Sequence, residues 1–142
     1  MFVKDTIARD NGTGIFLGNV FASIDRSRAE NNVGAGVWAY FDSSLTIRDS
    51  VMAGNDYCGL RAGTHNSTVY AEDCVVTNNG VGILSEPVTW GPNVKIYVSH
   101  TLISGNNEGL RRPLDGAIYS FGNNRLTNNN TNGSFTSTIQ EK

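Results

Sequence analysis

The chain has 142 residues, and its 11 basic and 13 acidic residues give a formal net charge of −2. This length is typical of one domain, and the absence of any run of like charge argues against nucleic acid or a membrane surface as partner. No apolar stretch approaches the roughly 20 residues of a membrane span, and the N-terminal residues MFVKDTIARDN are too polar for a secretory signal. We therefore expect a soluble protein, secreted only if a longer parent chain carries a signal.

The composition favours tight turns. Asn occurs 17 times and Gly 16 times, against 3 Pro, and Asn and Gly adopt the left-handed backbone conformation more readily than other residues. The two cysteines, Cys58 and Cys74, have no CxxC spacing, which argues against a zinc site or a redox motif. We expect both to be free, buried thiols.

One Asn recurs along the chain at nearly constant spacing. In chain order the copies are Asn11, Asn32, Asn55, Asn79, Asn106 and Asn129, at intervals of 21, 23, 24, 27 and 23 residues. Each of the first five is followed, three or four residues later, by a Gly and an apolar residue: Gly14-Ile15, Gly36-Val37, Gly59-Leu60, Gly82-Ile83 and Gly109-Leu110. Apolar residues eight and ten positions before each Asn alternate with polar ones, which predicts a strand with one buried face.

These repeated units predict an all-β fold. Their β-branched, Gly-punctuated segments exclude helical repeats, and the lack of several fixed Leu positions argues against a leucine-rich repeat. Short strands in a unit of about 23 residues, stacked by parallel pairing, form a right-handed parallel β-helix. We predict about six coils in one domain, residues 1–133, followed by a C-terminal tail, residues 134–142.

The recurring Asn residues have a predicted structural role. Equivalent residues of successive coils lie above one another, so their amides are expected to form a ladder along the axis and to bond to the turn backbone. The Gly that follows is expected to give the turn a residue without a Cβ.

Two segments carry a resemblance to a known family. The unit IRDSVMAGNDYCGL, residues 47–60, and the block AIYSFGNNRLTNNNTNG, residues 117–133, resemble bacterial right-handed β-helix repeat proteins of largely uncharacterised function. Members usually carry further N-terminal coils, so the chain resembles their C-terminal half, in an architecture shared with pectate-lyase-like enzymes. An unpaired first coil would expose backbone hydrogen-bonding groups, which predicts homo-oligomers formed through that coil.

One predicted column of residues suggests catalysis. Six positions before each ladder Asn stand Asp5, Arg26, Asp49, Asp73, His100 and Asn123. Two carboxylates one coil apart, followed by a histidine, can serve acid–base chemistry or bind a cation. Asp49, Asp73 and His100 are therefore candidate catalytic residues, with Arg48 from the neighbouring charged column as a charge stabiliser. The alternative is that these residues cap local backbone and that Arg48 belongs to a surface salt-bridge column with Lys4, Asp25 and Glu72.

A second candidate site lies in the loops after the Gly-apolar segments. Its residues are aromatic or polar: Trp38, Tyr40, Phe41, His65, Trp90, Arg111 and Asp115. Aromatic rings stack on the apolar faces of sugars while polar groups meet their hydroxyls, which predicts a carbohydrate-binding groove. The alternative is that Trp38 and Trp90 pack beneath the longest loop.

Two functions follow from these candidates. The first is a non-catalytic surface, structural or carbohydrate-binding module without a cofactor. The second is a polysaccharide lyase or glycoside hydrolase, for which calcium would be the expected cofactor if the chemistry is lyase-like.

Overall fold

The computed structural model describes residues 1–88 and 94–140 of the chain. This part consists of strands in three sheets, joined by turns. Sheet A contains β1 (Phe2–Lys4), β4 (Phe21–Asp25), β7 (Ser44–Arg48), β10 (Thr68–Glu72), β13 (Lys95–Ser99), β16 (Ala117–Ser120) and β18 (Ser137–Thr138). Sheet B contains β2 (Ile7–Arg9), β5 (Arg28–Glu30), β8 (Val51–Ala53), β11 (Val75–Thr77), β14 (Leu102–Ser104) and β17 (Arg125–Thr127). Sheet C contains β3 (Ile15–Gly18), β6 (Ala35–Tyr40), β9 (Cys58–Thr64), β12 (Val81–Pro87) and β15 (Glu108–Arg111).

The chain visits sheets A, B and C in turn, and each round is one coil of a solenoid. The strands of successive coils pair in parallel, as β4, β7 and β10 do in sheet A. Five coils contribute a strand to every sheet, and a sixth contributes β16, β17 and an isolated bridge between Glu108 and Thr131. The predicted all-β parallel solenoid is therefore confirmed. In the segment predicted as a tail, β18 pairs with β16.

The sixth coil has a different register from the one that alignment on the ladder Asn predicts. That alignment places Tyr119 beside Ile96 and Phe121 beside Val98, whereas Tyr119 pairs with Tyr97 and Val98 pairs with Ser120. The sixth coil has one additional residue between its sheet A and sheet B strands, where Gly122 adopts a left-handed φ of 88°. A shift of one residue in a strand moves its side chains to the opposite face, so Tyr119 faces outward and Ile118 inward.

The core fills the inside of the solenoid. Its largest buried side chains come from all three sheets: Ile24, Leu45, Ile47, Met52, Leu60, Ile83, Ile96, Ile103 and Ile118. In sheet A the buried residues alternate with exposed ones along each strand, as the sequence pattern predicts. Burying one such side chain contributes roughly 1.5–3 kcal/mol to the free energy of unfolding.

A ladder of buried Asn side chains lies at the corner between sheets B and C. The Nδ2 of Asn32, Asn55, Asn79 and Asn106 each donates to the Oδ1 of the ladder Asn in the next coil at 2.8–3.0 Å. That Oδ1 also accepts the backbone N–H of the same donor residue at 2.9–3.1 Å. Each Nδ2 further donates to a backbone carbonyl one coil back, as Asn79 does to Met52 O at 3.0 Å. The predicted Asn ladder is confirmed.

The Gly that follows the ladder Asn recurs from coil to coil for a steric reason. A Cβ on Gly36 would lie 2.7 Å from both Gly59 O and Asn55 Nδ2, and a Cβ on Gly82 would lie 2.6 Å from Gly109 O. Gly36 and Gly82 lie inside strands and are not among the residues with positive φ. The expectation that this Gly serves the turn is therefore wrong. Gly is required here because the backbones of stacked coils approach each other closely.

A second, shorter ladder lies at the corner between sheets A and B. The backbone N–H of Ser27 donates to Ser50 Oγ at 3.1 Å, and that of Cys74 donates to Thr101 Oγ1 at 3.3 Å. The Thr101 N–H donates to Asn124 Oδ1 at 2.9 Å. The small polar residue five positions before each ladder Asn thus satisfies buried backbone groups between coils.

Candidate functional site

The predicted catalytic residues lie on the A–B corner, the turn that joins sheet A to sheet B in each coil. Asp49, Asp73 and His100 occupy the same position in three consecutive coils, and all three are exposed. Each adopts a left-handed backbone conformation, with φ of 49°, 51° and 45°. Asp5 and Arg26, in the first two coils, have φ of 50° and 44°. Since Asp, Asn and His accept this conformation more readily than most residues, the turn alone accounts for most of this column.

The backbone of the A–B corner bonds from coil to coil. The Asp49 N–H donates to Glu72 O at 3.3 Å, and the Asp73 N–H donates to Ser99 O at 3.2 Å. The described ranges, 1–88 and 94–140, contain no group of three or more His, Cys, Asp or Glu that could hold a metal ion. The structure thus brings Asp49, Asp73 and His100 into register on an exposed turn, and their catalytic role stays a prediction.

The charged side chains beside this corner form ion pairs. Arg48 Nε lies 3.1 Å from Glu72 Oε2, so this pair of the predicted salt-bridge column is present. Arg26 pairs with both Asp25, at 3.0 Å, and Asp5, at 3.0 and 3.2 Å. The hydrogen bond from Arg26 lowers the pKa of Asp5 below its usual value and raises that of Arg26. These groups are exposed, so water and salt screen the pairs and they contribute little to stability.

The structure groups several of the predicted carbohydrate-binding residues on sheet C and the turn that follows it. We name Phe16, Trp38, Tyr40, Phe41 and His65 the aromatic patch. The Trp38 ring lies 5.0 Å from Phe16 and 5.3 Å from Tyr40 between centroids, nearly perpendicular to both. Phe41 stacks on His65 of the next coil at 5.5 Å. Phe16, Tyr40 and Phe41 are 53%, 37% and 43% exposed, so three rings are accessible on this face.

Trp38 is the packed member of the aromatic patch. Its ring is covered by the Arg61 guanidinium, whose Cζ lies 4.1 Å from the ring centroid. It also packs against a small second cluster of buried residues, formed by Ala35, Cys58, Val81 and Leu84. Arg61 Nη2 donates to Glu86 Oε2 at 2.7 Å. Trp38 is therefore packed against Arg61 and this cluster, whereas Tyr40 and Phe41 keep exposed ring surface.

Two further predicted binding residues, Arg111 and Asp115, lie away from the aromatic patch. Arg111 is in the same outward column of sheet C as Trp38 but three coils later, and its Nε donates to Glu108 Oε2 at 2.5 Å. Asp115 is exposed in the turn after β15. Trp90 lies outside the described residues.

The sequence model of the right-handed β-helix region family matches residues 2–137. The chain belongs to this family. Comparisons with curated proteins and with solved structures gave no match. Within the described segments, no helix is long and apolar enough to cross a membrane. The membership agrees with the predicted right-handed coil.

The β-helix carries a second aromatic array that the sequence reasoning missed. Tyr70, Tyr97 and Tyr119 stack on the outer face of sheet A, with centroids 4.8 and 5.1 Å apart and ring planes 10° and 23° apart. A groove of about 250 Å³ runs beside this stack, between Tyr70 and Tyr97 on one side and Arg48 and Glu72 on the other. Partial burial raises the pKa of Tyr97. The signal for the stack was available for two members, because Tyr70 and Tyr97 both precede their ladder Asn by nine residues.

The Arg61 contacts of the β-helix were also missed. Arg61 lies within 5.4 Å of the Tyr57 ring centroid and pairs with Glu86. Trp38 Nε1 and Arg61 Nε are buried without a hydrogen-bond partner among residues 1–88 and 94–140. A buried donor left unpaired costs about 1–3 kcal/mol. Trp38 and Arg61 each follow their ladder Asn by six residues, so alignment of the repeats could have predicted that they are neighbours in successive coils.

Proposed function

We propose that this β-helix is a non-catalytic polysaccharide-binding module whose ligand lies on the aromatic patch. The carrying observation is that Phe16 and Tyr40 present exposed rings 5.5 Å apart in adjacent coils, and that Phe41 is exposed at the turn directly after Tyr40. Sugar rings place their apolar C–H faces on such rings and direct their hydroxyls to polar neighbours. A rigid face of this kind loses little conformational entropy when a ligand binds.

Polar groups surround the patch at the turn after sheet C. Asn66 Nδ2 donates to Asp42 Oδ1 at 3.0 Å, and Thr64 Oγ1 accepts the Phe41 N–H at 3.0 Å. Their remaining donors and acceptors suit sugar hydroxyls. Because Asp42 and Glu86 each have a hydrogen-bonding partner close by, the patch favours a polymer bound by stacking and hydrogen bonds over one held by charge.

The geometry of the rings favours the aromatic patch over the tyrosine stack. In the stack, the faces of Tyr97 are covered by Tyr70 and Tyr119, which leaves mainly ring edges and hydroxyls for a ligand. In the patch, Tyr40 is nearly perpendicular to Trp38 and tilted by 36° from Phe16, so its ring faces have no parallel neighbour there, and Phe41 has one face stacked on His65.

Calorimetric titration of soluble glucans, xylans and N-acetylated glycans tests the proposal. For the polymer that binds, Tyr40→Ala and Phe41→Ala are expected to weaken affinity about tenfold each, which corresponds to the loss of one good stacking contact. Tyr70→Ala, in the tyrosine stack, is the matched control and is expected to bind like the wild type.

Two results would contradict the proposal. Binding lost in Tyr70→Ala and retained in Tyr40→Ala would move the ligand to sheet A. Release of reducing or unsaturated ends that disappears in Asp73→Asn would establish catalysis at the A–B corner instead.

A further inference from the structure

Gly63 leaves a position without a side chain on the outer face of sheet C. It pairs with Glu86 in the next coil, and Tyr40 lies beside it in the preceding coil. A Cβ on Gly63 would lie 3.2 Å from Trp38 Nε1 and 3.6 Å from Arg61 Nε. We name the space bounded by Trp38, Arg61 and Glu86 the Gly63 notch. A Cβ there would already be in tight contact with Trp38 Nε1, so the notch is a narrow gap bordered by these two N–H groups.

Both N–H groups at the notch lack an acceptor. Trp38 Nε1 and Arg61 Nε are buried and have no hydrogen-bond partner within the described ranges. Arg61 is held in place at its other end, since its Nη2 donates to Glu86 at 2.7 Å and its guanidinium lies over Trp38. Fixed, unpaired donors of this kind favour an acceptor oxygen brought by a ligand.

The other groups at the notch favour a neutral ligand with a donor of its own. Glu86 and Arg61 form an ion pair, so their charges offset each other. The Glu86 side chain is 28% exposed, and a carboxylate can accept more hydrogen bonds than the one from Arg61 and the long one, 3.5 Å, from Tyr57. The Tyr40 and Tyr57 rings, each 37% exposed, supply apolar surface.

We propose that the polysaccharide bound by this β-helix contains N-acetylhexosamine, and that the Gly63 notch binds its acetamido group. The carbonyl oxygen accepts hydrogen bonds from Trp38 Nε1 and Arg61 Nε, the amide N–H donates to Glu86, and the methyl group packs on Tyr57. Because both donors are buried, the ligand reaches them only when a side chain around the notch moves. The inference rests on the proposed function, since it names the sugar class for that site.

A matched pair of ligands tests the inference. Chitohexaose and cellohexaose differ only in the group at C2 of each sugar, and calorimetry measures their dissociation constants for the same protein. The wild type is expected to bind chitohexaose about tenfold more tightly, as one or two net hydrogen bonds allow. The deacetylated hexamer, which keeps the nitrogen and lacks the carbonyl, is expected to lose this advantage.

Three variants assign the preference to the notch. Trp38→Phe removes the Nε1 donor and keeps an aromatic ring, and Gly63→Ala fills the notch. Both are expected to reduce the preference for chitohexaose over cellohexaose to less than about twofold. Gly18→Ala is the control, because it adds a Cβ to the same face at an ordinary 3.5 Å from Tyr40. Circular dichroism and the melting temperature show whether each variant is folded.

The outcomes separate this inference from the proposed function. Equal affinity of the wild type for the two hexamers, or a preference that survives in Trp38→Phe, overturns the acetamido assignment and leaves polysaccharide binding intact. Failure of every polymer to bind overturns both. If Gly63→Ala does not fold, Trp38→Phe and Glu86→Gln, which removes the anionic acceptor, decide the result.

Discussion

Two columns of polar residues run along this β-helix at successive corners. The side chains of only one of these columns are buried and hydrogen-bonded in the interior. In the Asn ladder, Asn79 is 3% exposed and its amide bonds to Asn55, Asn106 and Met52. In the A–B corner column, Asp73 recurs as regularly, but its side chain is exposed and its left-handed backbone makes the bonds between coils.

The difference teaches how a repeated polar residue should be interpreted in a solenoid. Stacking places every equivalent residue in the same environment, so repetition reports a shared structural requirement. In the Asn ladder that requirement is the pairing of buried groups, and in the A–B corner it is a turn conformation. Periodicity by itself therefore does not mark a catalytic residue, whereas irregular side chains such as Trp38 and Arg61 are better candidates for binding.

The largest expected effect comes from breaking the buried column. Asn79→Ala leaves Met52 O and both the backbone N–H and the Nδ2 of Asn55 without their buried partner. Each unpaired group costs at least about 1 kcal/mol and single substitutions seldom cost more than about 5 kcal/mol, so we expect a loss of about 3–5 kcal/mol in the free energy of unfolding, measured by urea denaturation.

Asn11→Ala is the matched control for this substitution. Asn11 is exposed, and within the described part of the chain its side chain donates only to Arg9 O, at 2.9 Å. We expect a loss below about 1 kcal/mol. Equal losses in Asn11→Ala and Asn79→Ala would contradict the interpretation that burial makes the ladder essential.

A steric substitution beside the ladder is expected to have the next largest effect. A Cβ on Gly82 would lie 2.6 Å from Gly109 O and 2.9 Å from Asn106 Nδ2, so Gly82→Ala forces two coils apart. We expect a loss of about 2–4 kcal/mol by the same denaturation measurement. Gly12→Ala, with no atom within 4 Å of its Cβ, should leave stability nearly unchanged, and a comparable loss there would remove the steric explanation.

The buried thiols are expected to make the free energy of unfolding depend on pH, with an effect smaller than that of Gly82→Ala and larger than that of Asp73→Asn. Burial raises the pKa of Cys58 to about 12 and that of Cys74 to about 11, from an ordinary value of 9.0. The unfolded state therefore loses these protons first, so the free energy of unfolding is constant below about pH 9 and falls as the pH rises toward the folded pKa values. The expected slope is about 1.4 kcal/mol per pH unit for each thiol.

Denaturation at pH 8 and pH 10 measures this slope. The decrease is expected to be about half as large in Cys74→Ser, which leaves one thiol, while a thiol reagent at pH 8 should modify the wild type only after denaturant is added. Rapid modification of the folded wild type would show that these thiols are accessible, contrary to their burial.

The smallest expected effect is at the exposed column. Asp73→Asn keeps a residue that accepts the left-handed φ of 51°, so the free energy of unfolding should change by less than about 0.5 kcal/mol. Asp73→Val, which is β-branched, should cost about 1–2 kcal/mol more because it resists that conformation. If Asp73→Asn lowers the free energy of unfolding by more than about 2 kcal/mol, again by urea denaturation, the Asp73 side chain makes a stabilising interaction. The A–B corner column would then resemble the Asn ladder more closely than we infer.

Most of the fold was predictable because it repeats. The ladder Asn, the Gly that follows and the alternating strand of sheet A meet the same surroundings in each coil, so a weak local pattern becomes strong when six copies agree. The prediction failed at single-residue changes in coil length. The additional residue at Gly122 moved Tyr119 to the outer face, which alignment on Asn129 had hidden.

The candidate site was predictable only in part, for a related reason. Tyr40, Phe41 and His65 lie in the predicted region, but the contacts that define it depend on register between coils on the outer face of sheet C. Arg61 follows its ladder Asn by six residues and Leu84 by five, although the two are paired. No local pattern in the sequence shows that Gly63 leaves two donors facing one space, because Trp38 comes from one coil and Arg61 and Gly63 from the next.

The Asn ladder also makes the coil an exchangeable unit of length. The amides of Asn32, Asn55, Asn79 and Asn106 each donate to the ladder Asn of the next coil and to a backbone carbonyl of the preceding coil. A segment that runs from one ladder Asn to the next can therefore be duplicated or removed, because the coils brought together by the change form the same hydrogen bonds with each other. The distance between two surface sites along the solenoid axis can therefore change by whole coils, while the hydrogen-bonding pattern of the interior stays the same.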